Sequence, residues 1–237
     1  MPKQNIAALS FQNLAIGYGD RVVSDGLTAC LETGKVTCLL GANGSGKSTL
    51  LRTLTGYLPR LAGDMTKVAP ESVGIVLTEQ MDTMGLRVWE VVAMGRHPYT
   101  GYFGRFTSFD EEIVRDAMNK INIVAFSDRK FDSLSDGEKQ KVMIAKALAQ
   151  QTAIIVMDEP SAFLDFTSKV DLMVLLKKLA HENGKAILLS THDVGIALKT
   201  ADVLWLMHKG AMTVGSPDEL VKRGDIDCFL GESKSYI

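Results

Sequence analysis

The stretch Gly41-Ala-Asn-Gly-Ser-Gly-Lys47-Ser48 decides how this chain of 237 residues folds. It follows the apolar run Val36–Leu40 and precedes a segment in which Leu50, Leu51 and Leu54 recur at helical spacing. This order predicts a strand, a glycine-rich loop and a helix. Glycines let successive backbone N–H groups converge on phosphate oxygens, and the start of the helix adds a favourable dipole. The stretch therefore predicts a phosphate-binding loop.

Two side chains at the end of this loop carry chemistry. Lys47 is placed to bridge the β- and γ-phosphates of a nucleotide, and Ser48 is placed to bind Mg²⁺. The alternative is a glycine-rich turn with an incidental lysine. The strand before the loop and the helix after it favour the nucleotide site.

Two adjacent carboxylates, Asp158 and Glu159, follow the continuous apolar run Ala153–Met157. In an open α/β sheet, the carboxyl ends of the strands form the ligand crevice. We expect Asp158 to hold the Mg²⁺ shell and Glu159 to polarise an attacking water. A solvated Asp-Glu-Pro turn is the alternative, and the phosphate loop elsewhere in the chain disfavours it.

The composition is that of an ordinary globular protein, with 46% hydrophobic and 23% charged residues. It excludes a disordered, collagen-like or disulfide-dense chain. Lys and Arg number 26 against 28 Asp and Glu, which gives a net charge of −2 and no basic footprint for DNA or RNA. Nucleic acid is therefore not an expected partner.

The cysteines and the N-terminus point to a cytosolic chain. Cys30, Cys38 and Cys228 form no CxxC pair, so we expect buried, reduced thiols rather than a disulfide framework or a zinc site. The N-terminus lacks a long apolar segment, and the longest apolar runs have the length of strands. We expect that the chain does not itself span a membrane.

No linker, repeat or low-complexity tract divides the chain, so residues 1–237 are expected to form a single domain. Helical periodicity dominates roughly residues 85–150, with segments at Leu86–Met94, Phe109–Ile123 and Ser135–Ala149. Outside this region, apolar strands alternate with helices, which indicates a parallel sheet. The predicted fold class is α/β, with an inserted helical region.

The order and spacing of six motifs resemble those of the nucleotide-binding subunit of an ABC transporter, over essentially the whole chain. The motif Leu134-Ser-Asp-Gly-Glu138 distinguishes this family from other phosphate-loop proteins. The six are Gly41–Thr49, Gln80, Leu134–Glu138, Asp158–Pro160, Leu164–Asp165 and Thr191–Asp193. The resemblance implies an ABC ATPase cassette: a phosphate-loop NTPase core, a small antiparallel β subdomain and an inserted helical subdomain.

The resemblance implies that the chain binds ATP and Mg²⁺, hydrolyses ATP and works as a homodimer. It implies that Tyr18 stacks on the adenine ring. It also implies that Gln80 contacts Mg²⁺ and the attacking water and senses the membrane subunit, so Ser48, Gln80 and Asp158 form the expected metal set. The residues expected to bind ATP are Tyr18, Gly41, Ala42, Asn43, Gly44, Ser45, Gly46, Lys47, Ser48 and Thr49.

The resemblance implies that each ATP site is completed in trans by the second subunit. Ser135 and Gly137 are expected to reach the γ-phosphate bound by the partner from the N-terminus of a helix. This sequence departs from the common LSGGQ form by having Asp136 and Glu138. An additional carboxylate near a phosphate should weaken closure of the dimer unless it points away.

Two further residues take roles from the resemblance. His192, after the strand Ala186–Ser190, is expected to hydrogen-bond the γ-phosphate, so that Glu159, His192 and Gln80 are the expected catalytic residues. Asp165 is expected to join the two active sites across the dimer. It is also placed to cap the helix that follows it.

The segment Val91–Tyr99, with Gly101 and Gly104, resembles the importer subgroup that handles iron-siderophores, haem and vitamin B12. The resemblance implies integral membrane permease subunits and a substrate-binding protein as partners. It places the chain on the cytoplasmic face of the cell membrane, attached through the permease. We expect Gln80 and the Arg96–Tyr99 loop to dock a permease helix.

Two other classes of protein remain as alternatives. A soluble ABC ATPase of an assembly system, such as iron–sulfur cluster biogenesis, is also a single cassette, and Arg96–Tyr99 argues against it. A phosphate-loop kinase with a small-molecule acceptor would need neither Leu134–Glu138 nor a dimer.

Overall fold

The structure, a computed structural model, contains two sheets and a group of helices, and it describes residues 7–76, 85–101 and 104–233. The strands are β1 (Ala7–Tyr18), β2 (Arg21–Glu32), β3 (Val36–Gly41), β4 (Ala62–Met65), β5 (Val73–Val76), β6 (Ile154–Met157), β7 (Ala186–Thr191), β8 (Val203–His208) and β9 (Ala211–Gly215). The α-helices are α1 (Lys47–Leu54), α2 (Val88–Ala93), α3 (Ser108–Lys120), α4 (Asp136–Ala149), α5 (Phe166–Asn183), α6 (Val194–Thr200), α7 (Pro217–Lys222) and α8 (Asp225–Ser233).

The larger sheet has six strands in the order β5-β6-β7-β3-β8-β9, and every neighbouring pair is parallel except β8 with β9. β3, β6 and β7 are buried along their whole length, which explains their continuous apolar sequences. Leu40 pairs with Thr191, and Met157 pairs with Leu189. The carboxyl ends of these three strands are therefore aligned at one edge, and the predicted parallel sheet is confirmed.

The two faces of this sheet are covered by different layers. Cys38 and Leu40 of β3 pack into a core with α2 to α5, whereas Leu39 packs on the other face with α1, β1 and β2. Trp205 of β8 meets Phe11 of β1 edge to face at a centroid distance of 5.5 Å. This contact joins the six-stranded sheet to the smaller one.

The smaller sheet is antiparallel, with the order β2-β1-β4. The sequence predicts two strands at Ile6–Phe11 and Asn13–Ile16, but β1 is one strand whose register shifts between Phe11 and Leu14. Asn13 has a φ of 49° at this shift. The break in the apolar pattern is therefore a bulge within one strand and not the end of a strand.

The helices between β5 and β6 pack around a buried ion pair. Arg96 lies in a 3-10 helix, Met94–Tyr99, that continues from α2, and its Nε donates to Asp110 Oδ1 of α3 at 2.9 Å. Arg96 also donates to the carbonyl oxygen of Ala149, the last residue of α4, at 3.0 Å. The Arg96 side chain is only 4% exposed. The prediction that Arg96 docks a permease is therefore wrong, because this residue lies inside the helical region.

The surroundings of the cysteines differ. Cys38 is buried, and burial raises the pKa of its thiol to about 12. Cys30 is partly buried and Cys228 is exposed, so the prediction of a buried thiol is wrong for Cys228. In the part of the chain that the structure describes, no helix combines the length and the apolarity needed to cross a bilayer.

The buried ion pair generates a stability prediction. Arg96→Met should lower the free energy of unfolding by about 3 kcal/mol or more, because the Asp110 carboxylate stays buried without its counter-charge. The measurement is urea denaturation followed by circular dichroism. The matched control is Lys120→Met, which removes the more exposed pair Lys120–Asp116 and should cost less than about 1 kcal/mol. Equal stability of the two variants would contradict a structural role for Arg96.

Candidate functional site

The phosphate loop, residues 42–46, joins β3 to α1 and needs glycine at its last residue and at the strand residue just before it. Gly46 has a φ of 99°, and a Cβ there would lie 2.8 Å from Val23 Cγ1. A Cβ on Gly41 would lie 2.4 Å from Ser45 Oγ. Larger residues at these two positions would force the loop open. The predicted order of strand, loop and helix is confirmed.

Lys47 holds its ammonium inside this loop. Its Nζ donates to the carbonyl oxygens of Gly41 at 2.8 Å and Ala42 at 3.2 Å. Burial lowers the pKa of Lys47, and the nearby negative charges of Glu159 and Asp158 oppose that shift. The loop therefore encloses a partly desolvated cation, bonded to neutral carbonyl groups and close to two carboxylates.

The loop has the donors that a phosphate group requires. Ser45 Oγ is buried and has no hydrogen-bond partner within residues 7–76, 85–101 and 104–233. Buried hydroxyls are normally paired, so an acceptor from outside the chain would complete this one. A glycine cradle, an ammonium and a buried hydroxyl together suit phosphate oxygens.

Four side chains meet where β6 and β7 end. The Glu159 N–H donates to Ser190 Oγ at 2.8 Å, and the Ser190 hydroxyl donates to Asp158 Oδ1 at 2.7 Å. Glu159 has a φ of 48°, a conformation that residues other than glycine rarely adopt. Its Oε1 contacts His192 Nε2. Asp158, Glu159 and His192 are thus brought together, with Ser190 fixing the backbone between them.

Sequence reasoning missed Ser190, which it treated only as the last residue of a strand. Its partners Asp158 and Glu159 lie 32 and 31 positions earlier in the chain. A signal for this contact exists only once β6 and β7 are known to be neighbours.

Of the three expected Mg²⁺ ligands, the structure describes Ser48 and Asp158. Ser48 and Asp158 line one cleft of about 350 Å³ between α1, β5 and β6. Hydroxyl and carboxylate oxygens are suitable ligands for Mg²⁺, which also binds through substrate phosphates. Gln80 lies in residues 77–84, outside the described residues. That segment follows β5, whose Ile75 lines the same cleft.

Tyr18 ends β1 beside the first turn of α1. Its hydroxyl accepts a hydrogen bond from Thr49 Oγ1 at 3.4 Å. This bond is the main cause that lowers the pKa of the phenol, and the nearby Arg52 lowers it further. The residue is 47% exposed. Part of the ring is therefore accessible for stacking next to the phosphate loop.

The motif Leu134–Glu138, called the signature from here on, contributes to a different pocket. Ser135 caps α4, and Ser135 and Gly137 line a pocket of about 150 Å³ together with Leu164 and Ser168 near the start of α5. Asp165 caps α5 by accepting the Ser168 N–H at 2.8 Å, which confirms its predicted capping role. This pocket shares no lining residue with the cleft beside the phosphate loop.

Glu138 turns back on the start of α4. Its Oε2 accepts the Ser135 N–H at 2.8 Å and the Ser135 hydroxyl at 3.1 Å, and its Oε1 accepts from Arg129 Nη1 at 3.2 Å. These contacts, the Ser135 backbone bond first, lower the pKa of Glu138. Asp136 is exposed in the first turn of α4. The Ser-x-x-Glu pattern is a capping box that the sequence alone could have revealed.

The contacts of Ser190 generate a kinetic prediction. Ser190→Ala should lower ATP turnover about 10- to 100-fold with a nearly unchanged KM, because the Glu159 backbone loses its anchor. Steady-state phosphate release measures this. Thr37→Val is the control, since Thr37 is buried in β3 and its hydroxyl has no partner among the described residues. Equal turnover in the two variants would contradict the role of Ser190 in positioning Glu159.

Similarity to known proteins gives the family. Residues 24–162 match the ABC transporter family. An uncharacterised ABC transporter ATP-binding protein of Methanocaldococcus jannaschii is 39% identical over 228 residues, covering 91% of this chain and 78% of that protein. The iron(3+)-hydroxamate import ATP-binding protein FhuC of Bacillus subtilis is 34% identical over 241 residues, covering 94% of this chain and 90% of that protein.

The fold is also similar to that of solved ABC proteins. An inward-facing ABC transporter assigned to the metal-chelate type has a TM-score of 0.84 and 29% identity, covering 91% of this chain and 85% of that chain. The match in sequence and the match in fold both extend over most of the chain. This chain belongs to the ABC transporter family, whose ATP-binding subunits are ATPases.

Proposed function

We propose that this chain is the ATP-hydrolysing subunit of an importer for an iron-siderophore, haem or cobalamin. Its site resembles a nucleotide site in every described part, and a similar protein from Bacillus subtilis is named as an iron(3+)-hydroxamate import subunit. Iron chelates are therefore the favoured cargo within this group. The similarity to a transporter assigned to the metal-chelate type supports the same class.

The observation that carries the hydrolytic function is the position of Glu159. It lies two residues after β6 with a positive φ, its N–H donates to Ser190 Oγ, and its carboxylate contacts His192. A carboxylate held in this way beside the phosphate loop can accept a proton from an attacking water. His192, which directly follows β7, then hydrogen-bonds the γ-phosphate and orients Glu159.

The other residues bind and orient the nucleotide. Lys47 exchanges its carbonyl partners for the β- and γ-phosphates, and the loop N–H groups and Ser45 donate to the same oxygens. Ser48 and Asp158 would hold Mg²⁺, which would offset the negative charge of the phosphates. Tyr18 stacks on the adenine. Gln80 is assigned to the metal and the water on its motif alone.

The separation of the two pockets supports a homodimer. Ser135 and Gly137 lie at the start of α4, where N–H groups and the helix dipole favour an anion, but they line a pocket apart from the phosphate loop of their own chain. We propose that they contact the γ-phosphate held by a second copy. Asp165, beside that pocket, then lies where it can link the two active sites.

We propose that a membrane permease is the second partner and that a substrate-binding protein belongs to the same system. The cleft beside α1 would receive a permease segment, because Tyr57, which lines it, is 74% exposed. Gln80 keeps its predicted docking role on its motif alone. Tyr99, the other predicted docking residue, is half exposed. The chain would then lie on the cytoplasmic face of the membrane.

Glu159→Gln tests this function. The variant should bind ATP as wild type does, while turnover falls about 100-fold or more, because an amide cannot accept the proton of the attacking water. Vesicles containing a permease with which the wild-type chain drives uptake of a ferric hydroxamate should then lose that uptake. Phosphate release and radiolabelled iron uptake are measured together.

The matched control is Glu182→Gln, which makes the same change at an exposed position near the end of α5. It should retain both hydrolysis and uptake. More than about a tenth of wild-type turnover in Glu159→Gln would contradict the role of Glu159. Hydrolysis by wild type with no permease bound, and no uptake of an iron chelate, haem or cobalamin, would instead indicate a soluble assembly ATPase.

A further inference from the structure

We propose that Glu138 acts as a latch on the Ser135 hydroxyl, and that Arg129 sets the strength of this latch by offsetting the Glu138 charge. In the free subunit the latch keeps the hydroxyl turned away from an incoming phosphate. The inference rests on the proposed function, in which Ser135 contacts the γ-phosphate of ATP bound by a second copy. Glu138 is a positioning residue, since it acts through Ser135.

The hydrogen bonds of the Ser135 hydroxyl carry the first step. It donates its single proton to Glu138 Oε2 at 3.1 Å, and its oxygen accepts the Glu138 N–H at 3.3 Å. Its only donor is therefore occupied within its own chain. The Ser135 hydroxyl can donate to a phosphate oxygen only after its hydrogen bond to Glu138 has broken.

The charges around Glu138 carry the second step. Its carboxylate lies at the start of α4, where a triphosphate would approach, and two anions at short distance repel each other. Arg129 offsets the negative charge through its bond to Glu138 Oε1 at 3.2 Å. The guanidinium is also held by the Ser133 carbonyl oxygen at 3.2 Å and lies 5.2 Å from the centroid of the Phe126 ring. Arg129 is thus fixed beside Glu138.

A second capping box in the same chain separates this role from ordinary helix capping. Ser216 and Glu219 begin α7 with nearly the same geometry: the Ser216 N–H donates to Glu219 Oε2 at 2.9 Å, and the Glu219 N–H donates to Ser216 Oγ at 3.3 Å. Neither residue lines the phosphate-loop cleft or the signature pocket. Both boxes share the two backbone contacts, whereas the bond from the serine hydroxyl to the carboxylate and the arginine pair are found at Glu138. Glu219→Gln therefore measures the cost of weakening the shared capping contacts.

The experiment compares Glu138→Gln, Arg129→Gln, the double variant and Glu219→Gln. Dimerisation is measured by sedimentation with Mg²⁺ and a non-hydrolysable ATP analogue, and kcat and KM are measured with ATP. Glu138→Gln should tighten the dimer about tenfold, because one repelling charge is removed at each of its two sites. Arg129→Gln should weaken it several-fold, and this loss should vanish in the double variant.

Glu219→Gln should dimerise as wild type does, and nucleotide affinity of the separate subunit should be the same in all variants. The KM for ATP should not change with Glu138→Gln, whereas kcat at low protein concentration should rise. If dimers form and Glu138→Gln has the same dimer affinity and kcat as Glu219→Gln, the latch is overturned. The site shared between two chains is then unaffected by that result. Weaker dimers with Glu138→Gln would also overturn it. Nucleotide binding without dimers in any variant would overturn both the latch and the homodimer.

Discussion

The site depends on one constraint, which is that the ammonium of Lys47 is buried within a loop closed by glycines. A cation in that position requires acceptors, and in this chain two loop carbonyls provide them. The loop can take this shape because β3 lies between β7 and β8 and ends at Gly41. The parallel register then brings the end of β6, with Asp158 and Glu159, to the same edge.

The helical region holds Ser135 and Gly137, which line a pocket separate from the cleft at this edge. Ser135 starts α4, and the far end of the same helix is tied to the 3-10 segment and α3 through Arg96 and Asp110. The position of the signature serine therefore depends on a buried ion pair at the opposite end of its helix. Under the proposed function, a change in that packing would move the residue that contacts the second nucleotide.

Much of the fold could be predicted, because β3, β6 and β7 are buried on both faces and their sequences are continuously apolar. β4 was missed because Ala-Gly-Asp-Met is short, half exposed and without apolar alternation. The phosphate loop is local in sequence, so its geometry could be predicted. The role of Ser190 could not be predicted, since its partners follow another strand. Arg96 was expected at the surface, because charged residues are mostly exposed, but its ion-pair partner lies on another helix and buries it.

The most direct test of this account mixes two defective subunits. Lys47→Ala removes the phosphate-loop ammonium and leaves the signature intact, whereas Ser135→Arg blocks the signature and leaves the loop intact. Neither variant alone should hydrolyse ATP well. The mixture should hydrolyse it, because one site of each mixed dimer combines an intact loop with an intact signature. A mixture no more active than its separate parts, in a sample where mixed dimers are shown by cross-linking, would contradict a site shared between two chains.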